Sequence, residues 1–102
     1  MALRMDEVAR LFALAELEPC PTLSVERRLC PACCLALWRW LAKHNAIETV
    51  DLVDNGSLAR CTLWRWHDSN EVRAQANEPE RAVLGAALSA LRRGWFGEVG
   101  DA

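Results

Sequence analysis

Between Leu3 and Leu17 the apolar residues Val8, Leu11, Phe12 and Ala15 recur at helical spacing, with Arg4, Asp6, Glu7 and Arg10 between them. This pattern predicts an amphipathic first helix. Glu18-Pro19-Cys20-Pro21 should stop it, because a proline lacks an amide donor and disfavours helical geometry in the residue before it. Ser24 to Leu29 offers one short turn. Pro31 suits a first helical position and Ala32 through Lys43 contains no breaker, so a second helix is expected, ending near Asn45. Leu37, Trp38, Leu41 and Ala42 share its apolar stripe, with Cys34 one turn earlier.

The period then changes. Glu48-Thr49-Val50-Asp51-Leu52-Val53 alternates and is rich in β-branched residues, Asn55-Gly56 is a strong hairpin signal, and Leu58 to His67 can return beside the first strand. Asp68-Ser69-Asn70 reads as a second turn and Glu71 to Ala76 as a third strand. Pro79 opens a third helix through Arg93, with Val83, Leu84, Ala87, Leu88 and Leu91 on one side and small Ala86, Ala87 and Ala90 suited to close packing on a sheet. Gly94 stops it, since glycine adopts the left-handed conformation at little cost. The tail Trp95-Phe96-Gly97-Glu98-Val99 either folds back through its aromatics or projects. The expected architecture is α+β, ordered α-α-β-β-β-α, as one domain over residues 1–102.

The tetrapeptide Leu-Trp-Arg-Trp occurs twice, at 37–40 and 63–66, and takes four of the five tryptophans. The recurrence spans a helix and a strand, so it is not a structural repeat. On a helix, where side chains advance by about 100° per residue, Trp38 and Trp40 cannot share a surface. Trp38 belongs with Cys34, Leu35, Leu41 and Ala42 near the core seam, leaving Trp40 to face another element, a partner or solvent. On a strand Trp64 and Trp66 share one face, about 7 Å apart, with Thr62 and Arg60, whereas Ala59, Cys61, Leu63 and Arg65 take the other. Two outcomes are open. Either the first or second helix covers the tryptophan face and the pair is core, or that face is open and Trp64, Trp66 and Trp40 with Arg39 and Arg65 form a contact patch, since Trp and Arg are enriched at binding hot spots.

Hydrophobic residues make up 52% and charged residues 25% of the chain, the balance of an ordinary globular domain. The formal charge of −2 does not favour bulk binding to nucleic-acid phosphates, which needs a concentrated positive field. The charged amino-terminal helix does not read as an export signal, and no apolar run approaches the roughly 20 residues that span a bilayer. The expectation is a soluble, cytoplasmic protein without a membrane partner.

Five cysteines without an export signal point to reduced thiols. Cys30-Pro31-Ala32-Cys33 is the one C-x-x-C and could supply half of a tetrahedral zinc site, completed from Cys20, Cys61 and His44, with Cys34 and His67 as further companions. Cys-Pro-Ala-Cys at a helix start also resembles the redox motif of thioredoxin-like proteins, but Ser24 to Leu29 is not the buried strand that such a motif follows. That reading requires a depressed thiol pKa at Cys30. The plainest reading makes the cysteines small core residues. No glycine-rich phosphate loop or nucleophile–base–orienter set is legible, so an enzyme is not expected and no cofactor is implied beyond the zinc alternative.

The segment from Val72 to Ala76, with Pro79, Ala82, Ala86, Ala87 and Gly97-Glu98-Val99, resembles small phage and prophage proteins of the ABA-sandwich type, over about 35 residues. The resemblance implies an accessory protein of a phage or mobile element. Such proteins, the anti-CRISPR inhibitors among them, often act without catalysis by occupying a surface of a bacterial protein complex. The alternative from the residues is a zinc-stabilised nucleic-acid-binding module that stacks bases on Trp64 and Trp66.

Overall fold

The first helix, α1 (Met5–Ala15), buries Val8, Leu11 and Phe12 at the predicted spacing. A computed structural model describes residues 4–26, 28–66 and 70–97. α1 ends two residues earlier than predicted, and not through the prolines. Glu16 takes the left-handed conformation (φ 56°), and the Leu17 amide donates back to the Phe12 carbonyl at 2.9 Å. That bond satisfies a terminal carbonyl the helix itself leaves unpaired. A single turn, α2 (Leu23–Glu26), follows, and α3 (Pro31–Lys43) starts on Pro31 as expected. Leu37 and Leu41 are its fully buried residues, and Trp38 and Cys34 pack beside them. Leu35 and Ala42, expected near the seam, are instead exposed. The buried seam is narrower than predicted because the larger side chains, a leucine pair and Trp38, already fill it.

Strands β1 (Ile47–Asp54), β2 (Ala59–Arg65) and β3 (Glu71–Ala76) form an antiparallel meander with β2 in the centre. The β1–β2 connection uses four residues, Asn55 to Leu58. The Asn55 side-chain oxygen accepts from the Ser57 and Leu58 amides at 3.0 and 2.8 Å, while Gly56 takes φ 93°. The predicted turn at 68–70 and His67 lie largely outside the described residues. A bulge lies between Ile47 and Thr49, where Glu48 is the extra residue. It lets Ile47 stay buried while Glu48 and Thr49 both face solvent.

The inner face of the sheet carries Val50, Leu52, Ala59, Cys61, Leu63, Val72 and Ala74. α4 (Pro79–Arg92) packs on β3 and β2, and α3 packs on β1 and α4. Close approach depends on small side chains. Gly85 of α4 lies over Ala74 so tightly that a Cβ there would meet the Ala74 Cβ at 3.0 Å. Gly94 takes φ 74° just past α4, as predicted, and the chain folds back to bury Trp95 and Phe96. α1 packs on α4, on the side away from the sheet, and Arg92 clamps Glu7 across 85 residues at 2.7 and 3.0 Å. The architecture is α+β in the predicted order. No helix among the described residues is long and apolar enough to cross a membrane.

Candidate functional site

Because α3 and α4 share one face of the sheet and α1 lies behind α4, no helix among the described residues covers the other face. Three cross-strand rows lie there: Thr49, Trp64 and Glu71; Asp51, Thr62 and Arg73; Val53, Arg60 and Gln75. The edge-strand members of all three rows are exposed, Val53 at 44%. Thr62, at the centre of the central strand between Asp51 and Arg73, is buried although its face is open. Trp64 is half-buried. Trp66 sits just past the end of β2, where its amide still bonds the Ala46 carbonyl at 3.3 Å, and it is 59% exposed. Trp66 is the one aromatic ring among the large apolar side chains exposed among the described residues. The charges on this face are mixed: Arg73 pairs with Glu71 at 3.2 Å, and Asp51 and Arg60 lie in the neighbouring rows.

The five expected contact residues are not brought onto one surface. Arg65 lies on the inner side of the sheet, its guanidinium carbon 5.3 Å from the centre of the Trp95 ring. Trp40 meets another element, as one of its expected options: its ring lies 4.8 Å from Phe96 and 5.1 Å from His44. Arg39 is exposed on α3. The sequence reading missed Phe96 as the residue that captures Trp40, because 56 positions separate them and no local pattern links them.

A second constellation forms at the start of α3. The sulfurs of Cys20, Cys30 and Cys33 all lie within 4.8 Å of one another. Cys30 is the N-cap of α3, and its sulfur accepts from the Cys33 amide at 3.4 Å. Cys20 reaches the pair from the loop after α1, its sulfur accepting from the Cys30 amide at 3.2 Å and lying 3.2 Å from the Thr22 hydroxyl. Thr22 has one hydroxyl proton and two candidates for it, the Cys20 sulfur and the Arg28 carbonyl at 3.3 Å. The loop is held from outside as well, since Arg28 binds Glu26 at 2.7 Å and Glu78, the residue before α4, at 2.6 Å. Cys20 also walls an apolar groove of about 430 Å³ lined by Met5, Val8, Phe12, Leu17 and Leu23.

The thiols differ in acidity. Burial opposes ionisation of Cys20, but hydrogen bonds from Thr22, the Cys30 amide and Cys33 prevail and lower its pKa to about 7. Burial, then the neighbouring Cys30 and Cys20 sulfurs, push Cys33 up to about 12. Cys61 and His44, expected as further zinc ligands, do not join this group. Cys61 is fully buried on the inner face of β2, where burial and then Cys34 push it up to about 12. His44 is held by Trp40 and Phe96, and its Nδ1 accepts from the Ala46 amide at 3.1 Å. Cys34, one residue on from Cys33, is not part of this group; burial, then the charges of Glu80 and Cys30, raise it to about 11. Comparison with known protein families, curated proteins and solved structures finds no match for this chain.

Proposed function

We propose that this protein is a non-enzymatic binding module that modulates a bacterial protein complex through the open face of its sheet, in the manner of a phage or mobile-element inhibitor. The observation that carries this reading is Trp66, 59% exposed just past the strand that sets half-buried Trp64 on a face that no described helix covers. Trp64 on the strand and Trp66 just past its end present a large apolar area, and such residues anchor binding hot spots. Arg60 and Arg73 lie on the same face and supply polar contacts at its centre. Acidic Glu48, Asp51 and Glu71 are interleaved with them, which suits a mixed protein surface better than a polyanion. For the nucleic-acid alternative the tryptophans are available, but a concentrated basic field beside them is lacking among the described residues.

The test compares wild type with the Trp64→Ala/Trp66→Ala variant in parallel affinity purifications from bacterial lysate, followed by direct binding of the recovered protein in pure form. The expected result is a partner bound by wild type with loss of at least about 100-fold in affinity for the double variant, with a thermal midpoint within a few degrees of wild type. A partner bound equally by both, or a double variant that unfolds, would defeat the reading.

A further inference from the structure

We infer that Cys20, Cys30 and Cys33 form a zinc site that ties the loop after α1 to the start of α3, with solvent in the fourth coordination position. Three sulfurs within 4.8 Å of one another need only a small contraction to reach the separation of about 3.8 Å that tetrahedral zinc–sulfur bonds of about 2.3 Å require. The set contains no carboxylate or other oxygen donor, and an all-thiol set selects soft metals over magnesium or calcium. The surroundings suit bound thiolates: two backbone amides already donate to sulfur, Cys30 to Cys20 and Cys33 to Cys30. Hydrogen bonds of this kind orient ligands and spread the negative charge that three thiolates leave on a divalent ion. Cys20 is buried while Cys30 and Cys33 are half-buried, so the side opposite Cys20 is the one through which a solvent ligand reaches the metal.

The placement adds a tie to a loop already anchored by buried Leu23 and Leu29 and by the Arg28 ion pairs. α2 is a single turn, too short to hold its own geometry, inside the loop that Cys20 and Cys30 bracket. A metal bonded to both closes that loop. The adjacent Cys34 lies outside the trio, because one step along a helix turns a side chain by about 100°.

The test uses the full chain, purified under reducing conditions, stripped of metal with a chelator, and titrated with zinc and with cobalt(II). The expected result is one zinc per chain, a rise in thermal midpoint on zinc addition, and a sulfur-to-cobalt charge-transfer band whose intensity corresponds to three thiolates. Cys20→Ala, Cys30→Ala and Cys33→Ala should each weaken zinc binding on the order of 100-fold or more, whereas Cys34→Ala should retain it. Should the ligand variants fail to fold, the cobalt spectrum of wild type still counts the sulfurs. Zinc bound no more tightly than by a cysteine-free control, a cobalt band of one or two thiolates, full affinity in Cys20→Ala, or a disulfide within the trio in place of metal would each overturn the site. Trp64→Ala/Trp66→Ala should bind zinc as wild type does, which keeps this result separate from that of the sheet face.

Discussion

The two Leu-Trp-Arg-Trp segments are identical in composition and opposite in outcome. In both, the leucine is fully buried: Leu37 on α3 and Leu63 on β2. From that shared anchor the periods diverge. Along the helix, Arg39 is thrown to solvent and Trp40 swings round to Phe96 and His44. Along the strand, alternation returns Arg65 to the inner side against Trp95 and keeps Trp64 on the open face, with Trp66 exposed just past the strand's end. A residue's letter therefore says little about its role until the backbone period is known. The helical copy spends its second tryptophan on the core, and the strand copy keeps one for the surface.

The comparison is broken most forcefully at the leucines. Leu63→Ala and Leu37→Ala should each lose about 3 kcal/mol or more in denaturant titration, because both positions are completely enclosed. A loss below about 1 kcal/mol at either would mean that its anchor role is not shared. The tryptophans should separate next. Trp40→Ala removes two aromatic contacts and is expected to cost about 2 kcal/mol, whereas Trp66→Ala should stay within about 0.5 kcal/mol of wild type. Equal costs would place Trp66 in a core that the exposed ring contradicts.

The smallest effect is electrostatic. Burial lowers the His44 pKa below its ordinary 6.5, so the folded protein holds the ring neutral more readily than the unfolded chain does. The unfolded state then binds more protons at low pH. The His44 contribution is complete above pH 6.5 and is lost as pH falls through the lower folded-state value. Thermal midpoints from pH 7.5 down to pH 5, compared between wild type and His44→Gln, should show a decline in wild type that the variant lacks. A parallel decline in both would assign the effect to other groups.

Much of the fold was legible because its signals are local. Pro31 and Pro79 mark helix starts, Gly94 marks a stop, and the alternation of 71–76 gives β3 to the residue. The end of α1 was not legible, since Glu16 occupies a conformation usually left to glycine and only the Leu17 bond to Phe12 reveals why. The outward direction of Trp64, two residues before Trp66, followed from strand alternation with Leu63 as the inner anchor. Whether a helix would lie over them did not, because that depends on α1 choosing α4 over the sheet. The three-cysteine group was half legible: C-x-x-C named Cys30 and Cys33, but the choice of Cys20 over Cys61 and His44 is set by a loop that folds back across α2. Sequence spacing carries no record of that path.

The contact between α1 and α4 has a consequence for biosynthesis. A ribosome releases α1 long before it makes α4, so Val8, Leu11 and Phe12 emerge with their main cover not yet translated. The meander can pair strand by strand as it appears, each next to its neighbour in sequence. The first helix must wait for the last, and in that interval its apolar stripe, like the inner face of the sheet that α4 also covers, stays open to chaperones and to aggregation.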